Sequence, residues 1–381
     1  MVQLFGPCWG VAMPGRFKEY FVKSSDPYER GLQHGRQAAA EIISTLPAYQ
    51  KLFTQKGLSW EEIKASAMCY EPYLRKKGMS DLLEEIRGIA VGCGLSFEEI
   101  MVLNVRYELM KCPKPFSSGI GFGDVPECTG FLVLPEASKN HETISGQNWD
   151  MLNFCLDTSY ILHIDEENGT RVVAVCEPGQ LLKNGMNSHG VSNTGNNLVS
   201  TKDTGEYDST PLTFLRRRLL QQKTFEEAEK LILNSTFRVS MNSMIASKEG
   251  KACDFEITPD GISQLYPEKG VLGHGNDITS RPDIDADSLK HPSVPDGKHF
   301  RGQRLHALLL EKSGVIDEHT LQTALSDHHG FPLSVCNHEF EDREHGRTLQ
   351  TLSSAIYLLD RGYALICKGN PCCGEYVRYE C

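Results

Sequence analysis

The sequence predicts an antiparallel α+β fold, and three observations carry that reading. Residues 1–110 hold helix start signals and apolar residues at helical spacing. Residues 112–126, rich in Gly, Pro and Ser, read as an exposed loop that separates this front half from the rest. Beyond the loop, turn signals at Asn168-Gly169, Glu249-Gly250 and Asp360-Arg361-Gly362 lie between short apolar runs. Such hairpins alternate with helix pairs, which favours antiparallel sheets over a parallel doubly wound one.

Each element has a local reason. Asp26-Pro27 opens a helix, because proline's missing N–H is harmless in a first turn, and the segment is expected to continue through Ala38 and Ile42. Ser80 opens another, with Leu82, Leu83, Ile86 and Ile89 on one face. Ser96-Phe97-Glu98-Glu99 is a capping box for a third, in which Ile100, Leu103 and Leu109 recur at roughly helical spacing. After the loop, residues 129–134 form a short apolar run. Residues 160–164 and 171–176 flank Asn168-Gly169, and residues 244–246 and 252–257 flank Glu249-Gly250. Helices return at residues 211–222, after a capping box from Thr224 to Glu227, and near residues 301–310 and 319–325. Residues 354–359 and 363–367 close the chain as a hairpin.

Composition excludes several classes of function. With 381 residues, 40% of them hydrophobic, the chain can bury a large core. The net charge is -11, and the densest basic run, Arg216-Arg217-Arg218, reads as one turn of a solvated helix, so no nucleic-acid partner is expected. No run of 18 apolar residues exists, and the start lacks a basic n-region, so neither a membrane span nor a secretory signal is expected. The sequons at Asn168 and Asn234 therefore carry no weight. The 13 cysteines are odd in number and irregularly spaced, which suits reduced, buried thiols in a cytoplasmic protein. Cys372 and Cys373 are adjacent and no C-x-x-C exists, so no zinc site is expected. His274-x-Asn276 and Asp327-His328-His329 are likewise not read as metal ligands. Gly119-x-Gly121-x-Gly123 has no strand before it and no helix after it, so it is not a dinucleotide loop. No cofactor and no metal are expected.

The chemistry concentrates at Glu127-Cys128, where loop turns into strand. A Cys128 thiolate can attack the Glu127 carbonyl and draw the acyl group from nitrogen to sulfur. Hydrolysis of that thioester frees the α-amino group of Cys128. With a pKa of about 7.7–8.0, such an amine is a general base near neutral pH. One residue then supplies nucleophile and base. The competing reading of an isolated cysteine is a buried structural thiol.

The surrounding blocks favour the first reading. Pro27-Tyr28-Glu29-Arg30-Gly31 with Gln33-His34-Gly35, then Glu85-Ile86-Arg87-Gly88-Ile89-Ala90 and Leu103-Asn104, precede Cys128-Thr129 and Gly146-Gln147-Asn148-Trp149-Asp150. Gly369-Asn370-Pro371-Cys372 stands near the end. In order and spacing these blocks resemble the acyl-coenzyme A:isopenicillin N acyltransferase-like family of N-terminal-nucleophile hydrolases, which includes β-alanyl-amine hydrolases, from about Asp26 to about Tyr376.

That resemblance implies an αββα sandwich, two antiparallel sheets between helical layers, with a helical prosegment. It implies a small chain of residues 1–127 and a large catalytic chain of residues 128–381 that stay together after autocatalytic cleavage. Cys128 matches the family nucleophile, and Asp150 the acid that holds its amine and thiol. Asn242 matches the oxyanion-hole amide. Either Asn196 or Asn197 matches a further active-site asparagine, with Asn196 favoured by the nearer relatives. Arg301 and Arg304 match a charged segment near the nucleophile, although Lys298, His299 and Phe300 stand where the family carries serines. Glu127 replaces the glycine that precedes the nucleophile in the penicillin enzyme. The implied substrate is an N-acyl amide or an acyl-coenzyme A. Three readings stay open: an amidohydrolase, an acyltransferase that hands the acyl group to an amine, and an uncleaved inactive relative that acts by binding.

Overall fold

The computed structural model describes residues 15–55, 57–111, 128–286, 297–342 and 347–381. The expected cleavage loop, its glycines and Glu127 lie outside the described residues.

Strand β1 (Lys18–Lys23) comes first, then helices α1 (Pro27–Gln37), α2 (Ala39–Thr54), α3 (Trp60–Met68), α4 (Glu71–Lys76), α5 (Ser80–Cys93), α6 (Phe97–Asn104) and α7 (Arg106–Lys111). Strands β2 (Thr129–Val133), β3 (Ile144–Leu152), β4 (Tyr160–Asp165), β5 (Arg171–Cys176), β6 (Asn184–Asn187) and β7 (Val191–Thr194) follow. Helices α8 (Leu212–Leu219) and α9 (Phe225–Leu233) precede β8 (Met241–Ser247), β9 (Lys251–Thr258), β10 (Gly261–Leu265) and β11 (Val271–His274). Helices α10 (Gly297–Glu311) and α11 (Glu318–Leu325) lead to β12 (Phe340–Asp342), β13 (Arg347–Leu358), β14 (Tyr363–Lys368) and β15 (Tyr376–Glu380).

The strands make two sheets. One has the order β1-β4-β5-β6-β7-β8-β9-β10, and the other β11-β2-β3-β13-β14-β15, with β12 also paired to β13. Alternation along the strands sorts side chains between faces. On β2, Phe131 and Val133 join Leu305, Leu309, Leu321 and Leu325 of α10 and α11, whereas Leu132 faces the main core. On β8, Met241 and Ile245 pack with Leu215, Leu219 and Ile232 of α8 and α9, whereas Met244 faces the main core. Between the sheets, Ser145 on β3 meets Ser192 on β7 at 2.7 Å. The layers are helix, sheet, sheet, helix, as the resemblance implied.

Several local expectations hold for the stated reasons. Asp26 caps α1 by accepting from Tyr28 N at 2.9 Å. Ser96 and Glu99 complete a capping box. Thr224 accepts from Glu227 N at 3.2 Å, but the Glu227 carboxylate returns to Lys223 N rather than to its cap.

The front half is mostly helical, as expected, but it also supplies β1, which joins the first sheet as a polar edge strand and pairs with β4 in parallel, the exception to antiparallel pairing among the described strands. Other expectations do not hold. The first helix does not continue through Ala38, which breaks from helical geometry before α2 begins. The Arg216–Arg218 turn is not solvated. Arg216 and Arg217 are buried, and Arg218 is tied to Asp81 at 2.8 Å.

Arg217 shows why. Its Nε donates to Glu85 at 3.1 Å and its Nη2 to Glu166 at 2.6 Å, while Arg30 Nη2 meets Glu85 at 3.2 Å. Buried charges survive only when paired in this way. Glu85 rides on α5, and α5 reaches α1 because the crossing is made of glycines. A Cβ on Gly31 would lie 1.9 Å from Glu85 O, and one on Gly88 would lie 2.1 Å from Tyr28 O. The Gly31 and Gly88 of the two sequence blocks thus serve one helix crossing, which seats the front half on α8 and β4.

Candidate active site

Cys128 stands immediately before β2, almost wholly buried, with φ at 68°. A non-glycine residue held in the left-handed region stores about 1–3 kcal/mol of strain. Its side chain belongs to the core cluster that also holds Trp149 and Met244. Two cations lie within electrostatic reach of its sulfur, Lys183 just before β6 and Arg216 on α8, and both are buried. Lys183 Nζ sits 5.0 Å from the centre of the Trp149 ring. Burial, with Arg216 and Arg106 nearby, pushes Lys183 down to about 8, against the pull of Glu177 and Cys128. Arg106 is itself clamped by Glu177, which accepts from its Nε and Nη2 at 2.5 Å.

A lattice of side-chain amides lies beside β2. Gln147 on β3 donates to Gly195 O and to Asn196 Oδ1, both at 2.8 Å, and accepts from Asn184 at 2.6 Å. Asn196 Nδ2 donates to His274 O at 3.0 Å and lies 3.8 Å from where a Cβ on Gly130 would stand. A Cβ there would also lie 2.5 Å from Met244 Sδ, so the thioether would have to turn aside. Asn197 turns the other way, accepting from Tyr107 of α7 at 2.7 Å. Asn242 Nδ2 is held by Asp254 and lies 3.3 Å from His274 Nδ1.

This lattice rests on a buried ionic pair. His274 Nε2 lies 2.8 Å from Glu256, and its Nδ1 lies 3.0 Å from Gly275 O, so a doubly protonated ring satisfies both acceptors. Burial alone would lower His274, but Asp254 and Glu256 raise it to about 10. Burial alone would raise Glu256, but His274, Ser280 and Thr279 hold it at about 2. Burial pushes Asp254 up to about 7, with Glu256 adding to the effect.

On the opposite face of β3 lies a second ionic centre. The register sets Thr129 opposite Asn148, so Asp150 falls farther along β3, toward the end where β2 begins. Asp150 accepts from Thr351 Oγ1 at 2.6 Å and from Arg301 Nη1 at 3.4 Å. Arg301 Nη2 also donates to Asn276 Oδ1 at 2.7 Å, and Asn276 donates to Asn197 O at 3.0 Å. Arg301 is fully buried because α10 comes against β11, with Gly302 replacing a Cβ that would lie 2.3 Å from Gly275 N.

The structure therefore gathers Cys128, Asn196, Asn242, Asp150 and Arg301 around the start of β2 and its two faces. It does not bring in Arg304, which forms a paired contact with Asp327 at 2.7 and 3.1 Å and remains part-exposed. Sequence reasoning gave no role to Lys183, Arg216 or Gln147, and took His274 and Asn276 only as a segment that binds no metal. A lysine next to Asn184 and an arginine inside a basic run carry no signal of burial; only the sheet packing reveals it.

A family model described as acyl-coenzyme A:6-aminopenicillanic acid acyl-transferase matches residues 137–372. The chain is similar to the 40 kDa form of acyl-coenzyme A:6-aminopenicillanic-acid-acyltransferase of Emericella nidulans, 25% identical over 327 residues that cover 85% of each chain. It is also similar to an uncharacterized protein of Archaeoglobus fulgidus, 25% identical over 81% of this chain and 57% of that protein. Among solved structures, a mutant conjugated bile acid hydrolase from Clostridium perfringens aligns over 67% of this chain and 97% of its own, with 15% identity and a TM-score of 0.44. The penicillin V acylase from Agrobacterium tumefaciens aligns over 63% and 83%, with 11% identity and a TM-score of 0.43.

Proposed function

The chain belongs to the acyl-coenzyme A:6-aminopenicillanic acid acyl-transferase family, and from that premise we propose that it is a self-processing cysteine amidohydrolase with Cys128 as its nucleophile. The observation that carries the reading is Cys128 itself, a buried, left-handed residue immediately before a strand, within electrostatic reach of Lys183 and Arg216, with Asn196 beside Gly130 two residues on and the Asp150–Arg301 pair on the far face of β3.

Maturation begins when the Cys128 thiolate adds to the carbonyl of Glu127. The peptide C–N bond breaks as the acyl group moves to sulfur, and the α-amine takes a proton. Water then hydrolyses the thioester, leaving Cys128 with a free amine. In turnover that amine accepts the thiol proton, and sulfur adds to the carbonyl of an N-acyl amide. The negative oxygen formed is met by amide donors of the Asn196–Asn242 pair, a contribution of about 2.7–4 kcal/mol for one such donor. The buried cations Lys183 and Arg216 favour negative charge on sulfur. Collapse expels the amine, which takes the proton from the Cys128 ammonium. Water, deprotonated by the same amine, clears the thioester. Asp150 and Arg301 orient the start of β2.

Cleavage leaves the two pieces associated. β1 is a strand of the first sheet, Arg30 and Arg217 share Glu85, and Tyr107 and Lys111 of α7 hold Ser240 O at 2.7 and 2.8 Å. Transfer to an amine is the second reading, favoured by the likeness to the acyltransferase of Emericella nidulans. It differs only in which nucleophile clears the thioester.

Intact-mass measurement of the purified protein is the test. The expected result is two pieces, residues 1–127 and 128–381, with Cys128→Ala remaining whole. A wild-type chain that stays whole and inert on prolonged incubation overturns the proposal in favour of a binding role. With slow substrates, loss of the acyl adduct to free acid indicates hydrolysis, and amine-dependent loss to a new amide indicates transfer.

A further inference from the structure

Four side chains remote from the cysteine nucleophile in sequence form a cluster that the proposed reaction does not use. His328 follows α11, Cys336 and His338 lie in the loop before β12, and Cys372 lies in the turn between β14 and β15. One donor atom from each lies within 4.8 Å of all the others. We propose that His328, Cys336, His338 and Cys372 form a closed tetrahedral site for one zinc-type divalent cation, which staples the loop before β12 to the β14–β15 turn.

The distances come close to a metal's. Zinc binds imidazole nitrogen at about 2.0–2.1 Å and thiolate sulfur at about 2.3 Å, so the edges of its tetrahedron run from about 3.3 to 3.8 Å. His338 Nε2 lies 3.5 Å from Cys336 Sγ and 3.4 Å from Cys372 Sγ, within that range, and 3.0 Å from His328 Nε2, which a bound ion would spread by about 0.3 Å. Hydrogen bonding does not account for this convergence. A ring nitrogen carries either one hydrogen or one in-plane lone pair, yet three polar atoms converge on one Nε2. A cation at the centre gives all four donors a partner at once.

The donor set names the metal class. Two thiolates with two imidazoles select zinc over magnesium or calcium, which prefer oxygen. Binding releases two thiol protons to solvent, and the two thiolates neutralise a dication, so the site can be buried. Cys336 and His338 are buried, and His328 and Cys372 are half-buried. Outer contacts are also present: Asn370 Nδ2 lies 3.5 Å from Cys336 Sγ and 2.8 Å from Asn337 O. With four protein ligands the site has no open position, which marks a structural centre rather than a catalytic one.

Its position gives it a consequence. Asn337, between two ligands, donates from its N–H to Thr351 Oγ1 at 3.0 Å and accepts from Thr351 N at 2.8 Å. Thr351 Oγ1 in turn donates to Asp150. The cation thus braces the strand that supports Asp150.

The full chain, purified under thiol reductant without chelator and incubated with zinc sulfate, should retain about one zinc per chain after gel filtration. Cobalt(II) in its place should give tetrahedral d–d bands with thiolate-to-cobalt charge transfer. Bound zinc should shield Cys336 and Cys372 from alkylation and raise the melting temperature. His338→Ala and Cys372→Ser, checked for fold by circular dichroism, should retain less than about a tenth of an equivalent. Three results would overturn the site: no cobalt bands and no retained zinc in the wild type, zinc retention unchanged in both variants, or a disulfide linking Cys336 to Cys372 in the reduced preparation.

Discussion

Asn196 and Asn242 hold each other at two points: Asn242 N donates to Asn196 O at 3.0 Å, and Asn196 N donates to Asn242 Oδ1 at 2.8 Å. The pair ties the segment after β7 to the start of β8, so the Asn196 backbone and the Asn242 side chain are positioned together.

Replacing one member should therefore damage turnover more than folding. Asn242→Ala leaves Asn196 N without its acceptor, a loss of about 1–3 kcal/mol in stability. Removing an oxyanion donor lowers kcat by about 10²–10³-fold. The expected outcome for Asn242→Ala and Asn196→Ala is a fall in kcat of that order with KM little changed, measured on mature enzyme with an N-acyl amide. A folded variant of both kinds that keeps full kcat removes the asparagines from the mechanism.

The ionic pair beneath them should set the pH range of stability. Glu256 lies at about 2 in the folded chain against an ordinary 4.5, so its stabilisation is complete above 4.5 and disappears as pH falls through 2. His274 lies at about 10 against 6.5, so its stabilisation is complete below 6.5 and disappears as pH rises through 10. Asp254, raised from 3.8 to about 7, acts oppositely to Glu256: its contribution is complete below 3.8 and lost as pH rises through 7. Glu256→Gln strands a buried imidazolium, a change that costs about 3–5 kcal/mol. Urea unfolding of the Cys128→Ala chain, with and without Glu256→Gln, should show the largest gap between pH 4.5 and 6.5, narrowing toward both extremes. A gap that is constant with pH rules out the charged pair.

The sequence disclosed those parts of the fold whose side chains announce their surroundings. Apolar strands such as β4 and β5, and capped helices such as α6, carry their patterns openly. Strands β3, β6 and β7 did not, because their inward positions hold Ser145, Gln147, Asn184 and Ser192, polar groups that are buried only because the facing sheet satisfies them. β1 was hidden for the reverse reason: it is an edge strand on which only Val22 is buried. In the candidate site, Cys128 and Asp150 were singled out through motif order. Lys183 and Arg216 were not, since a charged residue gives no sign that partners will take it out of water. The His328, Cys336, His338 and Cys372 cluster lacks paired-cysteine spacing, and a strand hairpin separates its last member from the other three.

Asp150 and Arg301 offer a test that separates support from catalysis. Both side chains are fully buried, and their contact at 3.4 Å crosses from β3 to α10. Asp150→Asn alone leaves a buried guanidinium without its counter-charge, and Arg301→Met alone leaves a buried carboxylate. Each should cost about 3–5 kcal/mol. The double variant removes both charges, so its loss should fall short of the summed single losses by about 0.5–3 kcal/mol. Arg304→Met is the control on the same helix: its part-exposed pair with Asp327 should be worth about 0.2–1 kcal/mol. Urea unfolding in the Cys128→Ala background measures all four. The same substitutions in the cleavable chain then ask what the pair does for chemistry. If Asp150 orients the nucleophile, the double variant regains stability but still fails to cut before Cys128, because a neutral amide does not stabilise the α-ammonium that forms as the acyl group moves to sulfur, as a carboxylate does. Recovery of cleavage together with stability would reduce Asp150 and Arg301 to a strut between strand and helix.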